Sequence, residues 1–301
     1  YKDDAEAYKI WKKKIKLPEN KITKLGDKEN FWPSEAKENG PNGPCGPCSE
    51  IFFEEVEVWN LVFTQFERKA GGILEPLPKK NIDTGMGLER LTAVMQGVKS
   101  NFETELFQPI IKEIVEKAGL TPRNDVFYAV ADHIRAIVFA IYDGVLPSNE
   151  GRGYVVRKLI RKSSFHLQNL GIKKPFLYTL VAVLAQIMKI PYPELERRRE
   201  NISELILAEE KNFISTFQTS DTLFKEKFAA LFNQPDTEEA GKIGFQLYDT
   251  YGIPWELTCE WLNKNGLKFS QDTFNRQLQA QKERSRLQSE MKGDVFGAKH
   301  L

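Results

Sequence analysis

Cysteine and histidine are scarce in this sequence, with three of each among 301 residues. Three cysteines are too few for a disulfide framework, which favours a cytoplasmic protein. Cys45 and Cys48 form a Cys-x-x-Cys pair, but a structural zinc ion needs four ligands at suitable spacing. The remaining candidates are scattered singly: Cys259, His133, His166 and His300. We therefore interpret the pair as two buried thiols in a tight loop, expect no zinc, and assign no metal ligand in this chain.

Long hydrophobic runs are also absent. Residues 176–190 are mostly apolar, but they include Gln186 and Lys189 and are fewer than the roughly 20 residues that cross a bilayer. We expect a buried helix there and no contact with a membrane. The sequence begins at Tyr1 with no recognisable signal peptide.

Over the whole chain, neither positive nor negative charge is in large excess, since there are 43 Lys and Arg and 42 Asp and Glu. Residues 151–193 nevertheless carry eight basic residues and no acidic one. Arg157/Arg161 and Lys158/Lys162 are spaced four apart, so each pair shares a helix face. Val155, Val156, Leu159 and Ile160 are predicted to form the opposing apolar stripe. This helix suits phosphate contacts, with an ordinary solvated surface helix as the alternative.

Strand signals are confined to the first third of the chain. Residues 49–54 and 57–68 are the two strand candidates. In the second, alternation places Asn60 and Val62 on one face, which would be solvent-exposed or a pocket wall. The opposite face carries Trp59, Leu61 and Phe63 and is predicted to be the core face. From residue 106 onward the apolar period is almost entirely helical. We predict an α+β fold with a boundary between residues 1–103 and an all-helical part, residues 104–301.

The segment Asp83-Thr-Gly-Met-Gly-Leu-Glu-Arg90 has the clearest chemical character. Glycines ahead of a helix allow a flat or phosphorylated ligand to approach the backbone, where the helix N-terminus favours anions. Arg90 can bind phosphate or stack on a purine, and Asp83 can pair with an ammonium group. The alternative is structural: Asp83 caps the helix and the glycines form a turn.

This segment resembles motif 3 of the class II aminoacyl-tRNA synthetases, in the form found in alanyl-tRNA synthetases. Other segments similar to that family occur in the family's order at residues 30–32, 43–51, 58–66, 131–135, 143–150, 152–161 and 247–254. Together they span nearly the whole chain. The sequence is therefore identified as a member of the alanyl-tRNA synthetases.

The resemblance implies a ligase that acts in translation, joining alanine to ATP as alanyl-adenylate and then to tRNA(Ala). Residues 1–103 would form part of the class II antiparallel β-sheet with flanking helices. The implied alanine-binding residues are Trp32, Asn60, Val62, Asp83 and Gly85, with Asp83 pairing the ammonium group. Gly87 and Arg90 would contact ATP. Mg²⁺ would accompany ATP, and no residue would act as a nucleophile or base.

The resemblance also implies that residues 104–301 recognise the tRNA acceptor stem. Asn149 and Asp249 match the family positions that read its wobble pair, and amide and carboxylate groups can bond groove edges. Structural alternatives exist, because both residues lie beside turn sequences. The implied contacts to the tRNA backbone are Arg152, Arg157, Lys158 and Arg161.

Other parts of the family pattern are not found in this sequence. We expect motifs 1 and 2, the editing domain with its His-x-x-x-His pair, and the C-terminal oligomerising region to be missing, and the isolated chain to be inactive. Any homo-oligomer would form through those regions. One alternative function is a non-catalytic, synthetase-derived module that binds tRNA or protein. A second, an alanyl-tRNA editing protein, is disfavoured by the missing histidine pair.

Overall fold

The computed structural model describes the backbone of residues 1–120 and 125–293, and their side chains except at 216–221, 223, 282 and 284–293. His300, considered above as a zinc ligand, lies outside the described residues. The chain divides into two compact units, Tyr1–Leu106 and Phe107–Leu301. This division does not test the functions predicted for residues 1–103 and 104–301, which stay predictions.

The N-terminal unit contains a four-stranded sheet in the order β1-β2-β3-β4, with every neighbouring pair antiparallel. The strands are β1 Phe31–Trp32, β2 Gly43–Phe53, β3 Val56–Arg68 and β4 Leu74–Met86. The helices are α1 Ala5–Lys9, which continues into a π-helical turn at Ile10–Lys14, α2 Asp27–Asn30 and α3 Leu88–Gln96. Together with the helices that follow, this confirms the predicted α+β fold class.

The Gly-Pro-Cys segment is a strand rather than the predicted loop. Cys45 and Cys48 are buried, as predicted, but they lie within β2, which begins at Gly43. A side chain at Gly46 would collide with the backbone carbonyl of Phe63 on β3. Glycine at this position therefore allows the close approach of two strands. The predicted loop rested on the turn propensity of glycine and proline, which does not reveal such an approach.

Strand β4 has no counterpart in the sequence prediction. It contains Pro76 and Pro78, which cannot donate to a ladder and normally argue against a strand. Among the described residues β4 has a single partner strand, so its prolines are tolerated at the open edge. Asp83 lies within β4 and the residue that precedes α3 is Gly87, so the alternative in which Asp83 caps the helix is wrong.

The two faces of β3 are buried in the opposite sense to the prediction. Val62 is only 8% exposed, whereas Trp59, Leu61 and Phe63 are partly exposed. The helix on the Phe63 side is short and leaves a cavity of about 280 Å³ whose lining includes Ala7, Ile10, Phe63 and Ile82. The expected core face is therefore only partly covered by the described residues.

The described residues of the C-terminal unit form helices joined by turns and loops, with no strand among them. Its helices are α4 Gln108–Ala118, α5 Asp125–Tyr142, α6 Gly151–Asn169, α7 Leu180–Ile187, α8 Pro193–Asn233, α9 Thr237–Tyr251, α10 Trp255–Lys264 and α11 Gln271–Gly293. The 41-residue helix α8 contributes to a large core. Within it, the rings of Phe224 and Phe228 stack on Trp261, with ring centroids 5.0 and 5.5 Å away. Aromatic burial of this kind stabilises the contact between α8 and α10.

The apolar stretch at residues 176–190 forms a buried helix, as predicted. A 3₁₀ turn, Leu177–Thr179, leads into α7, and Leu177, Leu180 and Leu184 are fully buried. Within the described part of the chain, no helix has the length and apolar character needed to cross a membrane.

Candidate functional site

Four of the residues predicted to bind alanine meet on one face of the sheet. Asn60 of β3 lies opposite Gly85 of β4, and Val62 lies opposite Asp83. Residues directly opposed in an antiparallel pair project from the same face. Asn60, Val62, Asp83 and Gly85 therefore form a two-by-two arrangement, which we call the β3–β4 patch.

The polar groups of this patch differ in their accessibility. The side-chain oxygen of Asn60 is buried, and no hydrogen-bond partner is present for it among the described residues. Such an atom costs about 1–3 kcal/mol unless a further group completes it. Asp83 is exposed, and a Cβ at Gly85 would meet no atom within 4 Å, so open space lies over that position. The patch combines a rigid amide, a free carboxylate, a small apolar wall at Val62 and room beside them.

A carboxylate from β2 lies next to the patch. Glu50 is opposite Asn60, whose Nδ2 donates to Glu50 Oε1 at 3.4 Å. Burial raises the pKa of Glu50, and the nearby charge of Glu57 raises it further. Sequence reasoning missed Glu50, because the register of β2 against β3 was unknown.

Gly87 and Arg90 lie where β4 passes into α3. The Gly87 N–H donates to the Val58 carbonyl at 3.1 Å, so this N–H is already used within the protein. Arg90 Nη1 donates to the Glu57 carbonyl at 3.0 Å and approaches the Glu57 carboxylate at 3.4 Å. A Cβ at Gly87 would lie 3.3 Å from Arg90 Cδ, so glycine leaves room for the arginine side chain. The exposed guanidinium is thus held beside the start of β3.

Trp32 is not part of the two-by-two arrangement. It lies on β1, opposite Gly46, and β2 separates it from β3 and β4. Its side chain is 48% exposed. The structure therefore places Trp32 on the same sheet as the β3–β4 patch without bringing it into the patch.

Arg157 and Arg161 do not form the exposed basic face predicted for α6. The Nε atoms of both donate to one oxygen, Glu209 Oε1, at 2.8 and 2.6 Å, and Arg161 is only 8% exposed. Val155, predicted to be in the apolar stripe, is instead 53% exposed, while Ile160 is fully buried. Glu209, far away in sequence on α8, supplies the buried countercharge for both arginines.

The other residues predicted to contact tRNA lie at the surface. Lys158 forms an ion pair with Glu256 of α10, and Asn149 accepts a hydrogen bond from Arg157. Arg152 and Asp249 are exposed, and no polar partner is found for either within the described residues.

Asn149 and Asp249 are carried by elements that touch. Asn149 lies one residue before Glu150, the N-cap of α6, and Asp249 is in the last turn of α9. The rings of Tyr154 on α6 and Tyr248 on α9 are 6.2 Å apart, with burial raising the pKa of Tyr154. The start of α6 and the end of α9 therefore form one local surface with Asn149 and Asp249 at its two sides.

Metal-binding potential is limited. The described residues contain no group of three or more His, Cys, Asp and Glu side chains that could enclose a metal ion. Burial raises the pKa of Cys48 to about 12 and also raises that of Cys45. Both thiols are therefore protonated near neutral pH, which is unfavourable for metal ligation.

Comparison with known sequences gives a consistent result. The sequence model of a family described as tRNA synthetases class II (A) matches residues 1–300. The chain is 43% identical to an alanine–tRNA ligase of Thermotoga petrophila, covering 95% of this chain and 35% of the relative. It is 41% identical to the ligase of Geobacillus thermodenitrificans, covering 94% and 34%. It is 40% identical to that of Legionella pneumophila, covering 100% and 36%. The chain thus spans about a third of the length of these relatives.

Proposed function

The chain belongs to the tRNA synthetases of class II (A), and we propose that it forms part of the alanine and ATP site of an alanine–tRNA ligase. The observation that carries the proposal is the β3–β4 patch, in which residues distant in sequence present an amide, a carboxylate and a small apolar wall together. The reaction would join alanine to ATP as alanyl-adenylate and then transfer alanine to tRNA(Ala). The expected cytoplasmic location belongs to the same proposal.

Within the patch, each residue has a distinct role. Asp83 pairs the alanine ammonium, and Asn60 lies beside it on the same face, with its Nδ2 donating to Glu50. Val62 contacts the methyl group, and the space over Gly85 admits the small substrate. Trp32 would join this pocket as a more distant wall. A site of this kind discriminates weakly against glycine and serine, because one methyl or hydroxyl group changes binding by only about 1–3 kcal/mol.

On the ATP side, Gly87 and Arg90 bind the nucleotide. Arg90 is pre-positioned by Glu57, which reduces the conformational entropy lost when it contacts phosphate or the purine ring. The alanine carboxylate itself attacks the α-phosphate of ATP, the bond between the α- and β-phosphates breaks, and pyrophosphate leaves. The protein therefore contributes positioning and charge neutralisation rather than a nucleophile.

Two carboxylates near this site fit the Mg²⁺ ion that accompanies ATP. Glu50 and Glu57, on the paired strands β2 and β3, would hold the ion in addition to their protein partners, Asn60 for Glu50 and Arg90 for Glu57. Mg²⁺ is commonly bound through one or two carboxylates together with phosphate oxygens. When bound, the ion would neutralise charge on the phosphates.

The helical unit is proposed to bind the tRNA acceptor stem. Asn149 and Asp249 supply a donor and an acceptor for the wobble pair, and the exposed Arg152 contacts phosphate. Lys158 contributes more weakly because Glu256 neutralises part of its charge. Arg157 and Arg161 support this surface from within, since their guanidinium groups are occupied by Glu209.

The test is alanine-dependent ATP–pyrophosphate exchange in the full protein that contains this chain, comparing wild type with Asp83→Asn. Loss of an ion pair to the ammonium should lower kcat/KM for alanine by roughly a hundredfold, about 2.7 kcal/mol. Glu75→Gln is the matched control, because it removes another exposed carboxylate from the same strand away from the patch. Asp83→Asn activity equal to wild type would contradict the proposed role of Asp83.

Wild-type protein without exchange activity, but with affinity for tRNA, would favour the alternative of a non-catalytic binding module. The exposed carboxylate of Asp83, beside the open space over Gly85, favours the enzyme.

A further inference from the structure

Glu209 connects two surface elements through the interior of the helical unit. Its side chain is 8% exposed, and one of its oxygens accepts the Nε–H groups of both Arg157 and Arg161. Each arginine uses Nε for this bond, so the two Nη atoms of its planar guanidinium group can donate to other acceptors.

The Nη1 atoms of the two arginines donate hydrogen bonds to different elements. Arg157 Nη1 donates to the side-chain oxygen of Asn149, in the segment that precedes α6. Arg161 Nη1 donates to the backbone carbonyl of Gly252, which follows the last residue of α9. Gly252 has a left-handed φ of 62°, and a Cβ there would collide with the Arg161 guanidinium. The end of α9 that carries Asp249 is therefore held by Arg161.

The bond from Arg157 determines which way the Asn149 amide faces. A guanidinium has donors and no acceptor, so it must face the amide oxygen. The NH₂ group of Asn149 is then directed away from Arg157, on an exposed residue. Without Arg157 the amide could rotate and present either a donor or an acceptor, whereas Asp249 can only accept.

We propose that Glu209 is a positioning residue for acceptor-stem recognition: through Arg157 it fixes Asn149 as a donor, and through Arg161 it fixes the end of α9 that carries Asp249. The inference rests on the proposed function and names a residue that does not itself touch the tRNA. Glu209 is needed because two guanidinium groups one helical turn apart repel each other, and its carboxylate holds both in place.

The experiment uses the full protein that contains this chain, with Glu209→Gln beside wild type. Aminoacylation kcat/KM is measured on an acceptor-stem minihelix with its wobble pair and on one with that pair changed to a Watson–Crick pair. Glu209→Gln should lower the ratio of the two values by about tenfold or more, the worth of one base-edge contact. ATP–pyrophosphate exchange should stay within about twofold, because the polar partners of Glu209 in the described part of the chain are Arg157 and Arg161, which are not adenylation residues.

Glu210→Gln is the matched control. Glu210 is an adjacent buried carboxylate on the same helix, but it accepts the backbone N–H groups of Phe176 and Leu177. Its substitution should reduce thermal stability while keeping the ratio. An unchanged ratio in Glu209→Gln, or an equal loss in Glu210→Gln, would overturn the proposal.

Arg157→Lys covers the case in which Glu209→Gln does not fold. It keeps the charge and the Glu209–Arg161 pair, but a single ammonium lacks the fork that reaches both Glu209 and Asn149. The ratio should fall to a similar extent, and an unchanged ratio would overturn the proposal. If wild type itself charges both minihelices equally, the proposed function fails instead, which separates the two failures.

Discussion

Asn60 and Arg161 show how single residues take their character from their surroundings. Asn60 is partly buried, and its side-chain oxygen has no hydrogen-bond partner among the described residues. Arg161 is a basic residue in a basic stretch, but it is enclosed and paired. Charge in the sequence therefore indicates a phosphate contact only after burial and partners are known.

His166 makes stability depend on pH. It is 7% exposed, and burial, followed by the nearby charge of Lys162, lowers its pKa to about 4. The unfolded chain, with a histidine pKa near 6.5, binds the proton first as pH falls. The contribution of His166 is therefore complete above about pH 6.5 and is lost as pH falls towards about 4.

We expect the free energy of unfolding to fall by about 2 kcal/mol more in wild type than in His166→Gln between about pH 7.5 and about pH 5. Urea titrations at the two pH values measure this difference. His133, whose pKa burial also lowers, remains in the variant, so some pH dependence should persist. Identical pH dependence in the two proteins would contradict the prediction.

Among the elements, α9 has a well-defined beginning and end. Asp236 accepts the N–H groups of Glu238 and Glu239 at 2.9 and 3.1 Å, and Gly252 ends the helix in a left-handed conformation. Both features are typical of helix termini and recognisable in the sequence. Because Asp249 is in the last turn, the length and position of α9 affect the proposed tRNA surface.

Asp236→Ala should lower the free energy of unfolding by about 1 kcal/mol, since two backbone donors lose their acceptor. Asp236→Ser, which retains a capping oxygen, should lower it by less. Chemical denaturation of the three proteins provides the measurement, and equal stability of the alanine variant and wild type would show that water replaces the cap at no cost.

At the scale of the whole molecule, the helical unit has a core of its own. One of its buried clusters is Phe165, Phe213, Phe224, Phe228, Leu231, Ala240, Leu247, Ile253, Leu257, Leu262 and Leu267. All of these residues lie within Phe107–Leu301. A chain of this size can bury enough apolar surface to fold independently.

Residues 107–301 expressed alone should therefore unfold cooperatively on heating, with helical circular dichroism before the transition. Phe228→Ala in the same polypeptide should lower its stability by about 3–5 kcal/mol, because the ring is fully buried in this cluster. A gradual loss of signal without a transition would mean that the core needs the rest of the chain.

Local patterns in the sequence determined much of this protein. The order of strands and then helices, the shared face of Asn60 and Val62, and the buried helix near residue 180 follow from periods of 2 and about 3.6 residues, which depend on backbone geometry alone. The family was also recognisable, because the segments that resemble it consist of contiguous residues.

Tertiary structure decided the rest. It pairs Asn60 with Gly85 and Val62 with Asp83, makes a strand of the proline-containing β4, and turns Arg161 towards Glu209, 48 residues away. Each of these depends on contacts between segments far apart in the chain. Local periodicity carries no information about which distant group supplies a strand partner or a countercharge, and those partners determine which faces are buried.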